Sequence, residues 1–256
     1  MTEIHRGLRS VPANTCYRCG PCLSRIETMQ TTLQGRSYQR GEITLEELAA
    51  LTAGFNYASA LLDEDLLGDD YDAVVVDGDL HLPSLTLGEP LAFLVVTGNL
   101  VIDGACVDCD EPATGLYVLG NLQAGSVWTG GMLGVQGDLT VARTLAGFYN
   151  DYAAIVKGTT RAAVFFPENH YFQFEGAPTF DVVLGNAAPY RVPTQWAAQV
   201  TETLKGRALL DRAVGLESDD LPALSAEQIE TFGATELLDA HALYTRVQAD
   251  SPVLSD

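Results

Sequence analysis

Val118-Leu119-Gly120-Asn121-Leu122 is one copy of a short pattern: an apolar residue, any residue, Gly, Asp or Asn, then Leu. Further copies read Val76-Asp77-Gly78-Asp79-Leu80, Val96-Thr97-Gly98-Asn99-Leu100 and Val135-Gln136-Gly137-Asp138-Leu139. Val156-Lys157-Gly158-Thr159-Thr160 is a degenerate copy, and Phe174-Glu175-Gly176 is the remnant of another. The glycines step by 20, 22, 17, 21 and 18 residues, a stride that leaves no room for a helix between copies. A near-constant stride of this length is the mark of a solenoid in which each coil is built from short strands and turns.

Within a copy, the apolar residue, the Gly and the Leu are two apart, so they share one face of a strand and stack on their counterparts in neighbouring coils. Leu82, Ile102, Ala124 and Val141 continue that inner row two positions further on. The Gly suits a bend or an approach too close for a Cβ. The Asp or Asn beside it can bond to nearby backbone N–H groups in a corner. The pattern predicts a mainly β protein, a single-stranded parallel β-helix of about five to six coils. The repeat lacks the denser Gly-Gly-x-Gly-x-Asp spacing that gathers oxygens around calcium.

Both flanks read as helical. Thr44-Leu45-Glu46-Glu47 is a capping box with Ile43 and Leu48 as a hydrophobic staple, and the spacing predicts a helix running to about Leu62. Asp63, Glu64, Asp65, Asp69 and Asp70 form an acidic hinge. Beyond the repeats, Pro193 opens a segment in which Trp196, Val200 and Leu204 recur at helical spacing. Ser225-Ala226-Glu227-Gln228 is a second capping box leading to Ile229 and Phe232, with further helix expected from Thr235 to Val247. The chain therefore divides into a Cys-containing segment with a helical cap at 1–70, the solenoid at 71–190 and a helical segment at 191–256. Flanks of this size would close the solenoid's raw ends, which predicts a monomer or a small closed oligomer.

Charge narrows the partners. The 34 Asp and Glu residues outnumber 14 Lys and Arg, for a net charge of −20. The split is −4 over 1–70, −9 over 71–176 and −7 over 177–256. A chain without a basic footprint fits neither the phosphates of nucleic acid nor an anionic membrane surface. It attracts a basic protein partner instead. The densest acidic loop, Asp108, Asp110 and Glu111, interrupts the longest coil, and with Asp77, Asp79 and Asp103 it is the candidate partner-binding surface. No apolar stretch of about 20 residues occurs and the first thirty residues lack a signal-like apolar run, so a cytoplasmic protein with reduced thiols is expected.

Five cysteines bear on chemistry. Cys19-Gly20-Pro21-Cys22 has the spacing of a thioredoxin-type dithiol, but no buried strand precedes it and no βαβ pattern follows. Cys16 and Cys19 form a C-x-x-C-G knuckle, Cys106 and Cys109 a second C-x-x-C, so Cys16, Cys19, Cys22, Cys106 and Cys109 could supply one structural Zn site. Plain reduced thiols are the competing reading. His5, His81, His170 and His241 are scattered, His81 on the solvent side of a strand and His170 in a turn. No nucleophile elbow, P-loop or H-E-x-x-H is present, and the expectation is a non-enzyme.

The Val-x-Gly-Asp/Asn-Leu coils over residues 71–176 resemble those of the bactofilins, bacterial cytoplasmic solenoid proteins of the polymer-forming cytoskeletal group. They are also similar to acidic solenoids that act as immunity proteins in polymorphic toxin systems. The first resemblance implies a structural scaffold. The second implies a cytoplasmic immunity protein that neutralises a bacterial toxin by binding it, and this is the reading preferred, with the scaffold and a thiol or metal-dependent enzyme as alternatives. Bactofilins are mostly bare solenoid with short tails, whereas here both flanks are extended.

Overall fold

At each corner of the coil the backbone of one repeat rests on the backbone of the repeat before it. The N–H of Gly98 donates to the carbonyl of Gly78 at 2.9 Å, Gly120 to Gly98 at 2.9 Å, Gly137 to Gly120 at 2.9 Å and Gly158 to Gly137 at 3.0 Å. A Cβ on Gly137 would lie 2.7 Å from the carbonyl oxygen of Gly120, and one on Gly120 would lie 2.5 Å from that of Gly98. No side chain fits between such coils, which is why the repeat is written around Gly.

The computed structural model describes residues 36–38, 45–55, 72–88, 91–109, 113–148, 152–168, 170–184, 190–191 and 203–255. Two parallel sheets wind together. The first runs β2 (Asp72–Val76), β5 (Leu91–Val96), β7 (Gly115–Val118), β9 (Met132–Val135), β11 (Ala153–Val156), β13 (Tyr171–Phe174) and β15 (Tyr190–Arg191), preceded by β1 (Arg36–Tyr38). The second runs β3 (Leu80–Leu82), β6 (Leu100–Val107), β8 (Leu122–Thr129), β10 (Leu139–Phe148), β12 (Thr160–Glu168), β14 (Pro178–Leu184) and β16 (Thr203–Leu204), with β4 (Leu85–Thr86) also on β6. The chain makes about five turns as a β-solenoid, as the stride predicts.

Pairing is in register with the repeat. Val96 lies beside Val118, Val118 beside Val135, and Leu122 between Leu100 and Leu139. The long strands change register partway, between Ile102 and Ala105 in β6 and between Val141 and Thr144 in β10. Such irregularities bend a strand. The second sheet is thereby folded into two panels, and each coil has three sides.

The inner core holds the expected rows. Val76, Val96, Val118 and Val135 are buried there with Leu100, Leu122 and Leu139, and Leu82, Ile102, Ala124 and Val141 join them. Phe174 also stacks inward, so the remnant copy is a full coil. The last coils are filled by rings: Phe165 stacks on Phe180 at 4.4 Å and meets Phe172 edge-on at 4.9 Å. At the Leu position of the degenerate copy stands Thr160, 2% exposed, whose hydroxyl has no hydrogen-bond partner.

The helices sit elsewhere than expected. Helix α1 (Leu45–Leu51) stops short of Leu62 because the chain turns at Thr52, whose hydroxyl donates to the Leu48 carbonyl at 2.9 Å, and Phe55 follows. Leu48 and Phe55 pack on the outward residues of the first sheet, among them Val75, Phe93, Val95 and Tyr117. The C-terminal helices are α2 (Gly206–Leu210), α3 (Ala226–Thr231), α4 (Ala234–Leu237) and α5 (Ala240–Gln248). The capping box is present, Ser225 accepting from Gln228 N–H while the Gln228 side chain accepts from Ser225 N–H. One helix was expected over 235–247, but Asp239 interrupts it and accepts from His241 N–H at 2.8 Å to start α5.

Leu209, Leu216, Leu243, Tyr244, Val247 and Val253 cluster with Val107, Trp128, Ala146, Phe166 and Leu184, the outward residues of the second panel of the second sheet. The described helices are thus side covers. Apolar outward residues draw them there, since a sheet face that is not solvated must be buried against something. Edge closure is supplied in part by β1, which pairs antiparallel with β2. Residues 39–44 and 56–71, which carry the predicted N-cap and acidic hinge, and 192–202, with the predicted Pro193 helix, lie outside the described residues.

Two substitutions test this packing. Gly137→Ala should lower unfolding free energy by about 1–3 kcal/mol, because the corner must open to admit the methyl group. Thr160→Val, which removes an unpartnered buried hydroxyl at constant shape, should raise it by about 1 kcal/mol. Urea unfolding followed by circular dichroism measures both.

Candidate partner-binding face

Of the three sides, one is left uncovered among the described residues. It is built from the front halves of the long strands, where the residue between the two inward positions points out. These form a column, His81, Val101, Gln123, Thr140, Arg161 and Thr179, paired in register across β3, β6, β8, β10, β12 and β14. Five of the six are polar or charged and none is buried. Its outward residues give no apolar stripe for a helix of the chain to cover.

Along the corner that borders this face, the Asp and Asn residues of the repeat form a ladder. Asp79 Oδ1 accepts from the backbone N–H of Asn99 at 2.7 Å and from its Nδ2 at 3.0 Å. Asn99 Oδ1 accepts from Asn121 N–H at 3.0 Å, Asn121 Oδ1 from Asp138 N–H at 2.8 Å, and Asp138 Oδ1 from Thr159 N–H at 2.7 Å. Each side chain satisfies a donor that the turning backbone cannot offer to a sheet partner. All five residues are exposed, so the ladder is fixed in place yet open to solvent. Residue type and spacing predicted the corner role; the continuity from coil to coil follows only from the register.

At the first coils the ladder and the column frame a shallow depression of about 430 Å³ lined by Asp79, Leu80, His81, Asn99, Leu100, Val101, Asn121 and Gln123. His81 Nε2 lies 2.8 Å from Asp103 Oδ1 across two coils, both side chains exposed. Asp79, Asp103, Asp138 and Asp181 are exposed carboxylates on this side, against the cation Arg161, while Asp77 and Glu175 stand in the column of Lys157, just past the first sheet's strands. Lys157 is turned to the neighbouring side, its Nζ 5.4 Å from the centre of the Phe55 ring. The face is therefore acidic, most densely around the depression.

The predicted partner residues divide. Asp79 lines the depression and Asp103 bonds to His81 at its edge, whereas Asp77 is exposed in the column of Lys157. Asp108 does not: it is 3% exposed, and its Oδ1 accepts from the N–H groups of Gly130 at 2.6 Å and Gly131 at 2.8 Å. Its charge is spent on holding the turn between β8 and β9, which removes it from any contact surface. Asp110 and Glu111 lie outside the described residues. Asp138 and Gln123 join the face although the sequence reading assigns them no partner role; the inward Leu122 and Ala124 on either side are the signal that places Gln123 outward.

The cysteine expectations change as well. Cys106 is buried in the inner core, and burial pushes its thiol well above the ordinary range, with the Asp108 carboxylate adding to the effect. A metal ligand must be a thiolate and must reach its ion, so Cys106 does not fit the proposed Zn site. Cys109 is half-buried, its Sγ donating to the Leu87 carbonyl at 3.7 Å. Among the described residues no three His, Cys, Asp or Glu side chains gather as metal ligands, and Cys16, Cys19 and Cys22 lie outside them. His170 is fully buried against Phe172 at 5.3 Å, where the sequence suggested a surface turn; the rings of the last coils enclose it.

These features define a parallel β-solenoid dressed with helices on two sides and, among the described residues, open on an acidic third. No protein-family profile matches the chain, and neither does any curated protein or solved structure. No described helix is long and apolar enough to cross a membrane.

The two displaced residues supply the tests. Asp108→Ala should destabilise the fold by about 2–3 kcal/mol, since two buried N–H groups lose a charged acceptor, with Asp108→Asn milder because one oxygen remains. Under native conditions near pH 8, Cys106 should resist alkylation by iodoacetamide until the protein is unfolded, with peptide mass spectrometry as the readout.

Proposed function

We propose that the protein is a protein-binding module whose open acidic side receives a basic protein surface, and that within this class it acts as a cytoplasmic immunity protein neutralising a bacterial toxin. The observation that carries the reading is the contrast between the sides. Two carry apolar outward residues and are covered by the chain's own helices; the third carries the exposed carboxylates Asp79, Asp103, Asp138 and Asp181 and is left open among the described residues. Exposed carboxylates concentrated on one side steer a basic partner and raise its rate of encounter.

The ladder supports the same reading. Side chains held by hydrogen bonds from coil to coil lose less freedom on binding than free ones, so a partner meets a preorganised surface.

The triple change Asp79→Asn, Asp103→Asn and Asp138→Asn, which keeps the ladder acceptors, tests it against a basic toxin domain taken from the same genome. Association at low salt should slow by about 3–10-fold, with a smaller difference at high salt. Protection of cells expressing the toxin should fall in parallel. A wild-type association rate and full protection would remove this side from the interface.

A further inference from the structure

The open side constrains the shape of what binds it. Its strands are central in their sheet: β6, β8, β10 and β12 each pair on both edges, and the corner N–H groups are taken by the ladder. A partner strand has no backbone groups to pair with on this surface, so an occupant must bind through side chains. Rows on the side step from coil to coil by about 4.8 Å. A helix laid along the solenoid axis offers side chains one turn apart at about 5.4 Å, close enough to match several successive coils. The molecule uses this solution itself, since α5 lies across β6 and β8 on the adjacent side.

We infer, on the basis of the binding reading above, that the occupant is a basic amphipathic helix laid along the solenoid axis over the depression at the first coils. Asp79 and Asp103 flank that depression, each with one oxygen already engaged, by Asn99 and by His81. These bonds orient both carboxylates, and both residues are exposed. Between them Leu80 and Val101 provide an apolar floor on which the stem of a Lys or Arg can lie with its charge at a carboxylate. Arg161 stands in the same column at the far end and repels a cation there. The helix therefore carries its positive charge at the end over Asp79 and Asp103 and is neutral or acidic over Arg161.

The probe is a stapled, alanine-based helical peptide of about 14 residues with Lys at every fourth position in one half. Its partner is a peptide of the same charge carrying a central Pro, which cannot form the helix. Binding is read by NMR on the side-chain amides of Asn99, Asn121 and Gln123 in the full-length protein. The stapled peptide should shift these signals and bind about 3–10-fold more tightly than the Pro peptide. The double change Asp79→Asn and Asp103→Asn, which keeps the ladder acceptor, should weaken it by a similar factor, and Arg161→Glu should strengthen binding of a peptide with Lys in both halves. Equal binding of the two peptides at the same signals would overturn the helical occupant and leave the basic partner standing. If neither peptide moves these signals, or the double change has no effect, the open acidic side itself is refuted as the binding surface.

Discussion

The structure depends on the contact between successive corners, where a glycine N–H meets the glycine carbonyl of the coil before it at 2.9–3.0 Å. Because nothing larger than hydrogen fits there, the chain returns to the same place once per repeat, and the flanking Val and Leu residues are brought into register without further instruction. That register stacks the inner rows into one continuous core. It also converts a short sequence pattern into columns on the outside, so that surface chemistry is set column by column. A change in one outward residue alters one coil; a change in the glycine alters the path of all that follow.

The three sides share one backbone and differ in what the outward positions carry. Where those positions hold Trp128, Phe166 and Val107, a helix must cover them, because leaving such a surface in water is costly. The C-terminal segment is held on that side by more than apolar contact. Asp250, with φ of 52°, accepts from Ser126 at 2.8 Å and from Arg143 at 2.6 Å, over Gly125, where a Cβ would strike its carboxylate. The ion pair and the small residue fix where this cover sits, and the outward residues of the third side offer it no apolar surface.

Much of this was legible in the sequence and some was not, for physical reasons. The inner rows and the corner Gly-Asp/Asn pairs repeat in every coil, so the periodicity itself carries them. The bends that make three sides from two sheets depend on single register shifts, which no repeat announces. Helices could be read from capping boxes, but where they dock depends on outward apolar residues that belong to other coils. Asp108 reads as one more acid in an acidic run with Asp110 and Glu111. Its burial becomes visible only when the next coil places two glycine N–H groups against it.

The distribution of charge along the ladder follows from the same stacking. Side chains on successive coils stand about 4.8 Å apart. Two unit charges at that distance repel by about 0.9 kcal/mol even in water. A column of four carboxylates would add such terms in series. The ladder avoids this by placing Asn99 and Asn121 between Asp79 and Asp138, since an amide oxygen accepts the next coil's N–H as a carboxylate does. Asn99 also donates its Nδ2 to Asp79, which a second Asp could not do. The need for an acceptor at every corner is therefore met without charge at every corner. Asp79 is not required by the ladder as an anion, because Asn would serve its structural role; what the carboxylate adds there is charge on the open side.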